Sequence, residues 1–292
     1  MIRPADERDA NEASFEVELA VGSTALTIAG SDPSGGAGLQ ADLKAFQQVG
    51  VYGMSVVTLL TVQNTQGVRD VRVMEEDLVL RQLDAVLEDI TPLVIKTGAL
   101  GEANLIQAIA GRLRGFSGEL VVDPVLVSKH GHSLASAAAV DAYREFLFPI
   151  ATLVTPNRFE ASAFLGRELE SAGEDDFAEA AEQLRGMGPA FTLLKAGKVG
   201  ADRLHFLANK EQVTSIACED HATHHTHGAG CSLSATIAAR LAITDPTQPL
   251  DERMHSAVQF AISAVSQAIS IAPGLGNGSG PIESRILHLG TG

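Results

Sequence analysis

The chain has 292 residues and a formal net charge of −15 at pH 7, a balance that disfavours nucleic acids and anionic membrane surfaces as partners. Hydrophobic residues make up 45% of the sequence, enough for a substantial core, and the two cysteines, Cys218 and Cys231, argue against a secreted disulfide framework. No run approaches the ~18 apolar residues of a membrane-spanning helix.

The start of the chain differs in composition from the rest. Residues 1–20 are acidic and lack the apolar stretch of a signal peptide. We predict that residues 1–22 form a mobile extension, that residues 23–292 form a single domain, and that the protein is cytoplasmic.

From residue 24 onward, short apolar strand-like runs alternate with amphipathic helical patterns. This alternation predicts an α/β fold with a mostly parallel central sheet and helices on both faces, and with ligands at the carboxyl ends of the strands. A hairpin-like segment at residues 204–216 predicts antiparallel edge strands. The predicted strands cover residues 24–29, 54–62, 93–96, 120–123, 152–155 and 191–195, and the helical patterns cover 39–46 before Gly50, 79–90, 105–113, 137–148, 177–187 and 233–243.

The first predicted strand runs into a glycine-rich segment, residues 30–38, which a helix follows. A strand, a glycine-rich turn and a helix together form a ligand-binding corner. Its spacing matches neither the dinucleotide fingerprint nor the Walker A pattern. The segment therefore indicates a binding site without identifying the ligand.

A second glycine-containing segment, residues 226–232 (THGAGCS), precedes the apolar helical run at 233–243. It predicts a helix N-terminus whose free N–H groups belong to Ala229, Gly230 and Cys231, a typical anion site that Gly228 helps the main chain to approach. We expect the helix dipole to lower the pKa of Cys231, making it a candidate acid-base group. The alternative is a plain helix N-terminus with a small buried cysteine.

Several segments together resemble one family. They are, in order, residues 25–44 (ALTIAGSDPSGGAGLQADLK), 52–58 (YGMSVVT), 62–65 (VQNT), 96–98 (KTG), 122–125 (VDPV) with Lys129, 155–157 (TPN) with Glu160, and 227–231 (HGAGC). This pattern, spread over about residues 24–281, resembles the hydroxymethylpyrimidine and phosphomethylpyrimidine kinases of thiamine synthesis. The resemblance implies the three-layer ribokinase-like fold, with ATP and Mg²⁺ as cofactors.

The resemblance also implies roles for particular residues. The Gly228–Cys231 segment would hold the transferring phosphoryl group, with Cys231 as the acid-base residue. Asp123 and Glu160 would orient Mg²⁺ through water, although an Asp before Pro can simply cap a turn and Glu160 can be a first-turn helix charge. The residues implied for the nucleotide are Asn157, Lys195, Lys129 and Thr226.

By the same resemblance, the substrate is an aminopyrimidine, hydroxymethylpyrimidine or its phosphate. Gln63 would read the ring, because a carboxamide offers both a donor and an acceptor, with Gly30 and Asp42 nearby. The alternative for Gln63 is a polar residue that ends a strand. The chain departs from the family at Ala99, where Met is usual, and at residues 130–132 (HGH), where Ser-Gly-Asp is common; both departures bear on substrate identity.

Other functions remain open from the sequence. A pyridoxal or pyridoxine kinase is the close alternative, since related vitamin B6 kinases share the Gly-Ala-Gly-Cys segment, and a non-catalytic regulator that binds a vitamin precursor is a third. The oligomeric state is not determined by the sequence, with a homodimer as one candidate. A zinc site is disfavoured because its ligands would crowd into one run, Cys218, His221, His224, His225 and His227, which we interpret instead as the approach to the anion site.

Overall fold

A computed structural model describes residues 22–126, 134, 136–169, 172–200 and 202–290. Most of the predicted N-terminal extension therefore lies outside the described residues, and its mobility stays a prediction. Within the described ranges, no helix combines the length and apolar character needed to cross a bilayer.

The described strands form a single nine-stranded sheet in the order β3-β2-β1-β4-β5-β6-β7-β8-β9. The strands from β2 to β7 in this order are parallel, while β3 pairs antiparallel with β2, and β8 and β9 form the antiparallel edge predicted at residues 204–216. The strands are β1 (Thr24–Ser31), β2 (Tyr52–Asn64), β3 (Gly67–Val73), β4 (Val94–Thr97), β5 (Glu119–Val122), β6 (Leu153–Val154), β7 (Phe191–Val199), β8 (Asp202–Ala208) and β9 (Val213–Cys218).

Helices cover both faces of the sheet, which confirms the predicted three-layer α/β architecture. One apolar cluster joins the sheet to α2, α3, α4, α5 and α6, and a second joins its other face to α1, α7 and α8. The helices are α1 (Gly38–Gln48), α2 (Glu76–Leu87), α3 (Ala103–Leu113), α4 (Ala139–Ala142), α5 (Arg158–Leu165), α6 (Glu174–Arg185), α7 (Ala229–Ile243) and α8 (Leu250–Ser270). A π-helical turn, Tyr143–Leu147, continues α4 and leads into a 3-10 turn, Phe148–Ile150; another 3-10 turn spans Ser284–Leu289.

Local sequence explains where several elements begin and end. Helix α1 ends as predicted, because Gly50 takes a left-handed conformation (φ 83°) that stops the helix and lets Val51 N donate to Phe46 O. Strand β2 alternates buried and more exposed residues over much of its length, the pattern of a strand covered on one face. Three of the predicted site residues, Gly30, Gln63 and Asp123, lie at or just after the carboxyl ends of β1, β2 and β5.

Candidate functional site

Helix α7 begins at Ala229, as the sequence predicts, after Gly228 in a left-handed conformation (φ 80°, ψ 1°). The first intrahelical bond runs from Ser232 N to Gly228 O, at 2.8 Å. Ala229 N already donates to Thr226 O at 3.3 Å, so the N–H groups that remain for an anion are those of Gly230 and Cys231. The helix start therefore offers two donors to an anion rather than the three predicted, and its binding of an anion stays a prediction.

The glycine-rich turn between β1 and α1, residues 31–37, lies directly against this helix start. A Cβ atom added to Gly228 would lie 1.7 Å from Gly36 O, and one added to Gly38 (φ 57°) would lie 2.3 Å from Gly30 O. Real Cβ atoms never approach a backbone oxygen so closely, so only glycine fits at these positions. The glycines of the two segments thus permit two close backbone contacts, one between the segments (Gly228 with Gly36) and one within the first (Gly38 with Gly30).

The Cys231 thiol lies in this contact region and is partly buried. Burial, with a smaller contribution from the charges of Asp42 and Asp123, raises its pKa to about 11, and Lys96 offsets only part of this increase. The sequence-based expectation of a lowered pKa is therefore wrong, because desolvation outweighs the nearby positive groups. Cys231 is a protonated thiol at neutral pH.

Lys96 and Asp42 form a fully buried ion pair beneath the site. Lys96 Nζ lies 2.8 and 2.9 Å from the two carboxylate oxygens, and Thr27 Oγ1 donates to Asp42 at 2.6 Å. Burial alone would lower the pKa of Lys96, but Asp42, and then Cys231 and Asp123, raise it above its ordinary value. Both oxygens of Asp42 are already engaged, so its part in substrate binding stays a prediction.

Asp123, directly after β5, connects three elements at the strand ends. It accepts hydrogen bonds from Lys195 Nζ on β7 at 2.8 Å, from Thr155 Oγ1 after β6 at 3.0 Å, and from Ser234 Oγ on α7 at 3.3 Å. Lys195 Nζ also lies 3.5 Å from where a Gly230 Cβ would be. The lysine therefore places a positive charge beside the anion site.

Asn157 and Glu160 form a capping box at the start of α5. Asn157 Oδ1 accepts from the backbone of Phe159 and Glu160, at 2.9 and 3.0 Å, and a Glu160 carboxylate oxygen accepts from Asn157 N at 2.8 Å. Burial raises the pKa of Glu160 to about 7; Lys195 opposes this shift and Asp123 adds to it. Glu160 is therefore a charged residue in the first turn of a helix, as the alternative interpretation of the sequence expected. Its role at a metal ion stays a prediction.

A cavity of about 220 Å³ opens on the other side of the anion site, between the β7–β9 strands and helices α7 and α8. Lys195, Thr226, Ala229 and Gly230 line its end nearest the α7 start. The remainder has an apolar part, formed by Leu233, Ile262, Val265 and Ile269, and a polar part that includes Arg203, His205, Glu219, Asp220 and His221. We call this the β7–α8 cavity; its composition suits a flat apolar group attached to an anion.

The predicted substrate residues lie at the ends of β1, β2 and β4. Gly30 packs on Leu59, whose Cδ1 atom would be 2.4 Å from an added Cβ, so this glycine is needed for packing as well. Gln63 is partly buried at a bulge in the β2–β3 pairing and hydrogen-bonds the Asp32 carboxylate. Ala99 O accepts from Thr58 Oγ1 at 2.6 Å. Lys129 and residues 130–132 lie outside the described residues.

The residues of the histidine-rich run diverge in the structure. His221 Nε2 lies 2.9 Å from Ser266 Oγ, Cys218 Sγ lies 3.6 Å from His205 Nε2, and His225 Nδ1 accepts from Gly280 N at 3.0 Å. Among the described residues, no group of three or more His, Cys, Asp or Glu side chains could hold a metal ion.

Sequence reasoning did not single out Asp32, Ser234 or the pairing of Asp42 with Lys96. An Asp followed by Ser, Gly and Gly is a signal for a side chain that hydrogen-bonds its own turn, so Asp32 could have been found from the sequence. The other contacts join residues 54 or more positions apart and leave no local signal.

Comparison with known proteins agrees with this geometry. The family model for phosphomethylpyrimidine kinase matches residues 32–283. The chain is 39% identical over 260 residues to the hydroxymethylpyrimidine/phosphomethylpyrimidine kinase of Synechococcus elongatus, covering 88% of this chain and 95% of the relative. It is 38% identical over 261 residues to the enzyme of the same name from Bacillus subtilis, covering 88% and 93%. The chain belongs to the phosphomethylpyrimidine kinase family.

Solved structures confirm the ribokinase-like fold expected for this kinase family. Pyridoxal kinase from Staphylococcus aureus, in complex with AMP-PCP and pyridoxal, superposes with a TM-score of 0.80 at 30% identity and covers 90% of this chain and 94% of that one. Phosphomethylpyrimidine kinase from Clostridium difficile gives a TM-score of 0.71 at 35% identity, covering 84% and 99%.

We predict that Gly228→Ala strongly lowers kinase activity. The added methyl group would collide with Gly36 O and would impose strain at φ 80°, displacing the α7 donors; losing such donors lowers kcat by about 10²- to 10³-fold. The matched control is Gly166→Ala, which is also left-handed (φ 66°) but has open space around it. The control is expected to keep its kcat and to lose about 1 kcal/mol of stability. Steady-state kinetics and thermal unfolding of both variants test this, and a Gly228→Ala enzyme with the wild-type kcat would contradict it.

We also predict a pH-dependent stability term from Glu160. Its pKa is raised from 4.5 to about 7 on folding, so the folded state binds the proton more tightly. The resulting stabilisation is fully present below pH 4.5 and is lost as the pH rises through about 7, amounting to about 3 kcal/mol.

Denaturant unfolding between pH 4 and 8 without added divalent cations measures this term. Glu160→Gln should remove the loss, while the exposed Glu174→Gln should keep the wild-type pH dependence. Identical pH profiles for the wild type and Glu160→Gln would show that Glu160 ionises normally.

Proposed function

We propose that the chain transfers the γ-phosphoryl group of ATP to the hydroxymethyl group of 4-amino-5-hydroxymethyl-2-methylpyrimidine, and then to the resulting monophosphate, in thiamine diphosphate biosynthesis. The names of the relatives support this reaction. The observation that carries it is the glycine-bounded start of α7, which stands between the substrate residues on one side and the β7–α8 cavity on the other.

In this proposal the chain acts mainly by positioning and by neutralising charge. The N–H groups of Gly230 and Cys231 hold the phosphoryl group in transfer, and Lys195 offsets its negative charge. The attacking hydroxyl group loses its proton late in a loose transition state, so it needs little help from a base. A thiol with a pKa of about 11 suits that demand, and Cys231 contributes chiefly its shape and its N–H group.

We place ATP in the β7–α8 cavity, with its base on the apolar part and its phosphates toward Thr226 and Lys195. Kinases of this fold have been solved with AMP-PCP and with ADP. Asn157 would contact the phosphates through its amide nitrogen, because its Oδ1 already caps α5. Lys129 keeps its sequence-based assignment to the nucleotide.

The donor set also fits a magnesium ion. Asp123 and Glu160 are hard carboxylate ligands whose negative charges repel each other. A bound cation would stabilise the ionised form of the buried Glu160 carboxylate. Mg²⁺ commonly uses one or two carboxylates with water and phosphate oxygens, so two such groups suffice. When bound, the ion supplies positive charge that offsets the charge of the nucleotide phosphates.

A pyridoxal kinase is the second candidate, because the S. aureus pyridoxal kinase superposes on this chain with a TM-score of 0.80. Gln63 favours the aminopyrimidine, since its carboxamide can pair with the polar edge of that ring. Ala99 leaves more room beside the ring than Met would. It therefore does not select the smaller aminopyrimidine over pyridoxal by size.

We further infer a cytoplasmic enzyme that does not bind nucleic acid, given the net charge of −15. A homodimer through the β2–β3 edge is the oligomer that the surface supports best. Leu60, Val62 and Val73 are large apolar side chains exposed on these two strands.

A phosphorylation assay tests the function directly. The purified chain with saturating Mg²⁺ and ATP is given hydroxymethylpyrimidine, its monophosphate or pyridoxal, and ADP formation is followed. We expect turnover of both pyrimidines, with a higher kcat/KM than for pyridoxal. A higher kcat/KM for pyridoxal would favour the second candidate, and no turnover of any substrate would contradict the kinase assignment.

We predict that Gln63→Met lowers kcat/KM for hydroxymethylpyrimidine far more than for pyridoxal. The substitution keeps the volume but leaves the polar edge of the pyrimidine without a partner, at ~1–3 kcal/mol or about 5- to 150-fold. Gln66→Met, at an exposed position in the same hairpin, is the matched control and should change neither value. Ala99→Met should shift preference further toward the pyrimidine. An equal loss for both substrates would mean that Gln63 only supports the fold through Asp32.

A further inference from the structure

The Asp32 carboxylate is buried, with 1% of the residue exposed, at the centre of the glycine-rich turn. It accepts hydrogen bonds from Ser34 N at 2.9 Å, Gly36 N at 3.2 Å and Ala37 N at 2.8 Å, and Ser34 Oγ donates to both of its oxygens. Burial opposes ionisation, but the hydrogen bonds from His227, Ser34 and Gln63 hold the pKa of Asp32 below its usual range. Asp32 is therefore an ionised acceptor.

His227, which lies 195 positions further along the chain, also hydrogen-bonds the Asp32 carboxylate. Its Nε2 lies 2.8 Å from Asp32 Oδ2, and because an ionised carboxylate can only accept, Nε2 carries the proton of this bond. His227 N donates to Gly280 O and Ile282 N donates to His227 O, so the backbone is held as well. The ring packs on Gly36, where an added Cβ would lie 2.4 Å from Cδ2.

The two partners each sit next to a helix start. Asp32 organises the turn that leads into α1, and His227 directly precedes Gly228, after which α7 begins. The two starts meet at Cys231, whose sulfur accepts a hydrogen bond from Gly38 N. The Asp32–His227 bond thus ties the glycine-rich turn to the segment that leads into α7.

We propose that Asp32 and His227 are positioning residues for phosphoryl transfer, which hold the α7 anion site in line with the substrate hydroxyl group. This inference rests on the proposed function. Asp32 is buried and fully engaged, so it can act only through the groups that donate to it, which are the turn, His227 and Gln63. A displacement of about 1 Å between reacting groups lowers the rate by about 10²-fold. The Asp32–His227 bond acts on the rate by preventing such a displacement.

The test uses the full chain and compares His227 variants by steady-state kinetics with hydroxymethylpyrimidine and ATP. We expect His227→Leu to lower kcat by about 10²-fold while both KM values stay within about threefold. His227→Gln can place an N–H group near the position of Nε2 and should recover kcat to within about tenfold of the wild type, whereas the shorter His227→Asn should not. His288→Leu, at an exposed histidine whose ring hydrogen-bonds Gln48, is the control with unchanged kinetics.

A double-mutant cycle with Asp32→Asn then separates positioning from stability. The effects of Asp32→Asn and His227→Leu on kcat should be strongly non-additive, because either substitution alone breaks the same bond. Additive losses, a loss confined to KM, or equal kcat for His227→Gln and His227→Asn would overturn the proposal. If His227→Leu does not fold, the comparison of kcat between His227→Gln and His227→Asn tests the proposal on its own. Turnover by the wild type tests the proposed function separately from these ratios.

Discussion

At Gly228 the main chain makes a left-handed turn in contact with the carbonyl group of Gly36, and the α7 donors can face the glycine-rich turn only because neither position carries a side chain. Every other part of the site is arranged around this contact. Asp123 and Lys195 approach the α7 start from the sheet, and the Lys96–Asp42 pair lies beneath it. The helix dipole adds a fixed positive potential at the same point.

The chain is strongly acidic, yet its site is suited to anions. The buried carboxylates around the site are each matched with donors: Asp42 with Lys96, Asp123 with Lys195, and Asp32 with His227 and backbone N–H groups. Glu160 also accepts a hydrogen bond from Asn157 N, but the nearby Lys195 bonds Asp123 instead, and the pKa of Glu160 stays raised. The remaining positive potential comes from backbone and from lysines held in place, so it does not depend on net charge.

Much of the fold could be predicted because its signals are local. Apolar periodicity located most strands and helices, and Gly50 and Gly228 marked a helix end and a helix start. Strand β3 was missed because its sequence, rich in charged residues, carries no apolar alternation and it is mostly exposed. The pKa of Cys231 was mispredicted for a different reason: its burial and the charges of Asp42, Lys96 and Asp123 around it arise from tertiary packing, which the local sequence does not show. Assignments of individual site residues stay predictions, since contacts alone do not identify a ligand.

The bond between Asp32 and His227 joins residues 195 positions apart, and the segment that holds His227 reaches further still, to Ile282. During synthesis at ~5–20 residues per second, His227 is therefore added to the chain roughly 10–40 s after Asp32. The turn can form alone in that interval, because its own bonds to Asp32 span only two to five residues. Closing the long loop is the slow and entropically costly step, so the sheet core can be assembled before the chain acquires a competent site.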